Sequence, residues 1–296
     1  MSTIPFGLQD NQNSNVLVTL TDQAGNAAAQ PAHAILNQPS HPAARGWVIT
    51  QQEPELYAIA DELNVIGQRQ LHRGCDVALG AGTRDPLNVC TRLLIRTMSN
   101  FQGAIVLIGR GMTVEAQTLV RGCYENAFWV GFFFRDPPEA GSAFELDEIK
   151  SQIGRRDALV RIADSVGDQT MHDRIRQLVG GAQPKPAGRA PSLEELAILA
   201  GMHAHYAFYR QLSADSAHPS LHSIDRYLDK NVDGDWVGFV LGPDNVGVHD
   251  ALSLACHSMV TALAGFGQLI GATEDDEPLL QVYQRYRSVA GITTPE

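Results

Sequence analysis

From Glu53 onward the apolar residues return with the period of a helix. Leu56, Ile59, Leu63, Ile66 and Leu71 share one face of the stretch that begins PELYAIADEL. Asp85-Pro86 reads as an N-cap followed by proline at the first helical position, and it opens a second helix through Leu87, Leu93, Leu94 and Met98. The pattern predicts its longest helix over Phe101–Phe134. One line of that wheel carries Ile105, Ile108, Met112, Ala116, Leu119, Cys123, Ala127 and Val130. The opposite line carries Leu107, Val114, Phe128 and Phe132, with Arg110, Arg121 and Glu125 set among them. A helix apolar on both sides is buried on both sides, so this segment is expected at the centre of a bundle.

Arg135-Asp136-Pro137-Pro138 ends that segment, and Ala143–Val166 and Gln169–Val179 follow as two charged, amphipathic, more exposed helices. Gly180–Pro191 (GGAQPKPAGRAP) reads as a mobile loop. Ser192, with Glu195 three residues on, forms the signature of a capping box and predicts one helix running to His218, where Pro219 stops it. Pro219–Lys230 predicts a short helix, and Asp235–Leu241 (DWVGFVL), between Asp233-Gly234 and Gly242-Pro243, a short hairpin. Val248–Ile270 and Glu277–Val289 close the chain as helices. Residues 1–52 are rich in Asn, Gln, Ala, Ser and Pro and contain one apolar alternation, Asn15–Leu20. They predict a flexible, disordered tail with one strand-like piece. The fold class expected is therefore all-α: a single-domain multi-helix bundle over residues 53–296, with one short β-hairpin.

Composition adds limits. At 44% hydrophobic and 19% charged the chain can bury a real core, and its net charge of −11 argues against non-specific binding to nucleic acid or anionic membrane. Cys75, Cys90, Cys123 and Cys256 are scattered with no CxxC pair, which suits neither disulfides nor a zinc knuckle; three of them lie in apolar helical surroundings, so buried reduced thiols are expected. No basic region followed by an apolar run marks a signal peptide, and the most apolar run, Ala127–Phe134, is far short of the roughly 20 residues that span a bilayer. A cytoplasmic protein with no membrane partner is expected.

Polar chemistry is densest at Gly201–His222, which holds His203, His205, His218 and His222 with Tyr206, Tyr209, Arg210 and Ser213. On a continuous helix Arg210 and His218 would fall about 80° apart and face one cleft. Upstream, Arg121 and Glu125 sit one turn apart on an otherwise apolar face, where charges must be paired or functional.

RGCYENAF (Arg121–Phe128) together with YRQLSADSAHPSLHSIDRYL (Tyr209–Leu228) resembles a bacterial family known only as domain of unknown function 5677. The matching positions are Arg121, Glu125, Tyr209, Arg210, Ser213 and His218, and the resemblance spans roughly Leu56–Ile270. It implies a helical fold and no established activity. More distantly, an Arg and a His at the end of a bundle helix resemble the HEPN superfamily of helical ribonucleases, although seven residues separate the pair here.

Three readings of the chemistry stand side by side. In the first, the six residues form a buried polar network that locks two helices together, and the chain is a binding or scaffold module, or a defence-associated one, with a protein partner. In the second, HEPN-like metal-independent cleavage of RNA, Arg210 with Arg121 holds the phosphate, His218 moves the proton, and Tyr209 and Ser213 orient them in a homodimer. In the third, the histidines from His203 to His222 hold a hydrolytic metal with Glu125 or Asp215, although His203 and His205 lie about 200° apart on a helix. A Ser213–His218 hydrolase lacks the glycines of a nucleophile elbow. His249 and His257 read as an ordinary helix face. No cofactor is expected.

Overall fold

The computed structural model describes residues 17–21, 27–31, 52–166, 169–178, 188–217, 219–240, 242–243 and 245–291. The chain divides into two compact units, residues 49–224 with 245–296, and residues 1–48 with 225–244.

The larger unit is helical. Its long elements are α1 (Pro54–Ala78), α2 (Pro86–Ile108), α3 (Thr113–Arg135), α4 (Pro137–Val166) and α5 (Gln169–Leu178). After α5 come α6 (Leu193–Leu199), α7 (Tyr206–Leu212) and α8 (Leu221–Asp225), which ends at the boundary between the units. The helices α9 (Val248–Ile270) and α10 (Asp276–Val289) complete it. The core sits where α3 and α9 pack against each other and against α2, with α1 closing the far side. Cys123, Tyr124, Phe128, Leu252, Cys256, Met259 and Phe266 are fully enclosed there. Among the described residues α9 alone is long and apolar enough to cross a membrane, but 61% of its most apolar window is buried inside the bundle, as the core helix of a packed domain is.

Two expected helices are broken, and the breaks share one cause. The predicted helix Phe101–Phe134 is two helices. At its middle, Met112 N–H bonds to Leu107 C=O and Gly111 N–H to Ile108 C=O, the paired bonds of a Schellman cap, with Gly111 at φ 72°. The same pair recurs after α6, from Met202 N–H to Ala197 C=O and from Gly201 N–H to Ile198 C=O, with Gly201 also at φ 72°. The single helix expected from Ser192 to His218 is therefore α6, a 3-10 turn His203–His205, α7 and a π turn Ser213–Ala217. A side chain at Gly201 would be strained by its backbone and would lie 2.5 Å from the Arg135 guanidinium carbon. The capping box forms as expected: Glu195 N–H donates to Ser192 Oγ at 3.2 Å, and Ser192 N–H to Glu195 Oε2 at 2.7 Å.

The smaller unit contains the β structure. β3 (Leu228–Lys230) pairs antiparallel with β4 (Trp236–Phe239), with a register shift between Asp229 and Lys230. The hairpin lies where DWVGFVL placed it, but its first strand takes residues expected to be helical. β1 (Leu17–Thr21) and β2 (Ala27–Pro31) form a second antiparallel hairpin, Leu17 opposite Pro31, at the strand-like alternation of the front. The rest of the predicted tail lies outside the described residues, as does the predicted loop up to residue 187.

Candidate functional site

Helix α3 carries two polar groups into the neighbourhood of α7. On one flank Arg121 Nη2 lies 2.8 Å from Glu125 Oε1 and donates to the Tyr209 hydroxyl at 2.6 Å. The Arg121 guanidinium also lies over the Tyr209 ring, 4.9 Å from its centroid. Tyr209 stacks on Tyr206 and meets Phe128 edge-on. Burial raises the Tyr209 pKa and the charge of Glu125 adds to it, while Arg121 opposes both. Arg121 and Glu125 each keep a quarter of their side chains exposed, so this is a half-buried pair pinning α7 to α3. Arg121 Nε is buried without a partner, so one guanidinium N–H is left over.

The other predicted site residues do not all join this cluster. Arg210 is exposed and makes no ion pair among the described residues, although its neighbour Tyr209 is buried. Arg110 is exposed in the turn between α2 and α3, so it shares no helix face with Arg121. Ser213 opens the π turn at the end of α7 and is half-buried. His218, the predicted proton carrier, lies outside the described residues, and so does the side chain of His222. His203 is exposed beside Glu194, 3.6 Å away. Among the described residues no three His, Cys, Asp or Glu side chains converge as a metal would require.

On the other flank of α7 the structure assembles a group that the sequence kept apart. Tyr124, on α3, is fully buried and its hydroxyl lies 2.7 Å from His257 Nδ1 on α9. The His205 ring stacks on the His257 ring at 5.1 Å, only 8° from parallel. Phe208 meets His257 edge-on at 5.0 Å, and Tyr286 of α10 flanks it at 6.1 Å. Burial pushes the His257 imidazole down to about 4, and the neighbouring His205 adds to the shift. Burial lowers His205 as well, the Met202 backbone offsetting part of it. Burial likewise holds the Tyr124 phenol well above its ordinary value, so both members of the pair are neutral at pH 7. Tyr124 and His257 therefore share one hydrogen bond between neutral groups, its direction set by the imidazole tautomer.

Both imidazoles line a cavity of about 430 Å³ between α9 and α10. Met202, Val260, Leu279 and Tyr283 supply apolar wall, and Asp276 stands in it as a formally charged group. His205 Nδ1 is buried with no hydrogen-bond partner. This size and lining, mostly apolar with a few convergent polar groups, is that of a small-molecule site. The residues that build it were legible only in part. His257 is an imidazole within the most apolar helix, which is a signal, but an ordinary helix face accounts for that pattern equally well.

A family model described as a family of unknown function, DUF5677, matches residues 87–235. That span includes Tyr124, His205 and the Arg121–Glu125–Tyr209 cluster, but stops short of α9. No curated protein and no solved structure matches the chain.

Proposed function

The chain belongs to the family of unknown function DUF5677, and from that premise we propose that it is a helical binding module that takes a small, predominantly apolar molecule into the cavity beside His205 and His257. The observation that carries this is the cavity's combination of apolar wall and a neutral imidazole pair. The Arg121–Glu125–Tyr209 cluster supports binding rather than catalysis. Its cation is already engaged by a carboxylate and a phenol, and its part is to hold α7, and with it His205 and Phe208, in place.

The test is calorimetric titration with n-octanol, a neutral apolar probe, at pH 7. Wild type binds one equivalent. Ala264→Trp, at an exposed position in the cavity wall, keeps the fold and loses the binding. A wild type that gives no saturable heat sinks the proposal.

A further inference from the structure

The acids beside the cavity narrow what it takes. The turn into α10 reads Glu274-Asp275-Asp276-Glu277. Three of the four have partners within the fold. Glu274 pairs with Arg73, Asp275 is held by Arg69 at 2.7 Å, and Glu277 accepts from Gln281 at 2.8 Å. Asp276 has no ion pair among the described residues, and it is the one of the four that lines the cavity. Among the described residues no lysine or arginine lines that cavity, and both imidazoles in its wall are uncharged at pH 7 for the reasons given above. An anion entering would meet an uncompensated carboxylate and no cation. A cation meets a carboxylate that nothing else uses, and the chain's net charge of −11 favours its approach.

We propose that the ligand is a hydrophobic amine, its apolar body against Met202, Val260 and Leu279 and its ammonium paired with Asp276 at the solvent-facing rim. This rests on the binding-module reading and adds to it the class of ligand. Asp276 is exposed, so its contribution is that of a surface ion pair, about a three- to fivefold gain in affinity at low salt, and added salt weakens it. The larger part of the affinity comes from the apolar body, as burial of apolar area requires.

The experiment compares three probes with one tail and different heads: n-octylamine, n-octanol and n-octanoate. Each is titrated into the full chain by calorimetry at pH 7. Octylamine is expected to bind about three- to fivefold more tightly than octanol, and octanoate more weakly than either. Asp276→Asn is expected to erase the gap between amine and alcohol. Octanoate binding as tightly as octylamine overturns the amine assignment, and so does a gap that survives Asp276→Asn. In both cases octanol binding leaves the cavity's role standing. If none of the three binds, the binding-module reading and the amine assignment fall together.

Discussion

The buried His205–His257 stack makes the protein acid-labile in a way that one residue controls. Burial holds the folded-state pKa of His257 at about 4, against an ordinary value of 6.5. A histidine depressed in the folded state takes up its proton more readily when the chain is unfolded. Its contribution to stability is therefore fully present above about pH 6.5 and is lost as pH falls through the folded value. At 1.36 kcal/mol per pKa unit, the gap is worth about 3 kcal/mol, of which about 2 kcal/mol falls between pH 7 and pH 5. Solvent reaching the partly exposed ring trims that to about 1.5 kcal/mol. His205 is depressed for the same reason and pulls in the same direction. The assay is urea unfolding at pH 7 and pH 5, with wild type beside His257→Gln. Glutamine still offers Tyr124 an acceptor and does not titrate. Wild type should lose about 1.5 kcal/mol more than the variant between the two pH values. Equal losses would refute the reasoning, because they would mean that His257 titrates no differently in the folded chain.

Two further outcomes follow from the same geometry. Glu125→Ala leaves Arg121 with only the Tyr209 hydroxyl; because each partner is a quarter exposed, the loss should be about 1–2 kcal/mol by denaturant titration, between an exposed pair and a sealed one. A loss below 0.5 kcal/mol would mean that the pair does not hold α7 to α3. Cys75 is exposed while Cys90, Cys123 and Cys256 are buried, with burial pushing the Cys123 and Cys256 thiols up to about 12. A thiol-disulfide reagent should therefore label one cysteine quickly in the native chain and all four in guanidinium, and Cys75→Ser should remove the fast phase.

The helical pattern from Glu53 onward was legible because burial on one face imposes the helix period on sequence, and α1, α9 and α10 stand where that period put them. The breaks were harder to read because periodicity does not register them. Across Gly109–Met112 the apolar line continues without a fault, since the chain leaves α2 and enters α3 with buried residues on both sides. What marks the break is local chemistry, a glycine at a left-handed position followed by an apolar residue. That signature appears as Gly111-Met112, Gly201-Met202 and Gly271-Ala272, each carrying the paired bonds of a Schellman cap.

The two clusters flanking α7 differ in legibility for a related reason. Arg121 and Glu125 are one helical turn apart, so their pairing is arithmetic within a single element and survives any error about where that element begins. His205 and His257 meet only because the chain turns at Gly201. On the unbroken helix expected from Ser192, His205 would lie on a wheel fixed by residues 193–199; in the structure it sits in a separate 3-10 turn whose direction the Gly201 cap resets. That reset brings its ring parallel to His257, and it also lets Phe208 and Tyr209, adjacent on α7, straddle α3 with one facing each cluster. The break is thus what creates the cavity wall. A helix run straight through Gly201 would take the His205 ring off His257, leaving it flanked by Tyr124 and Tyr286. The cavity beside His205 and His257 is a consequence of the position where periodic reading fails, because side chains from different elements converge where the chain turns.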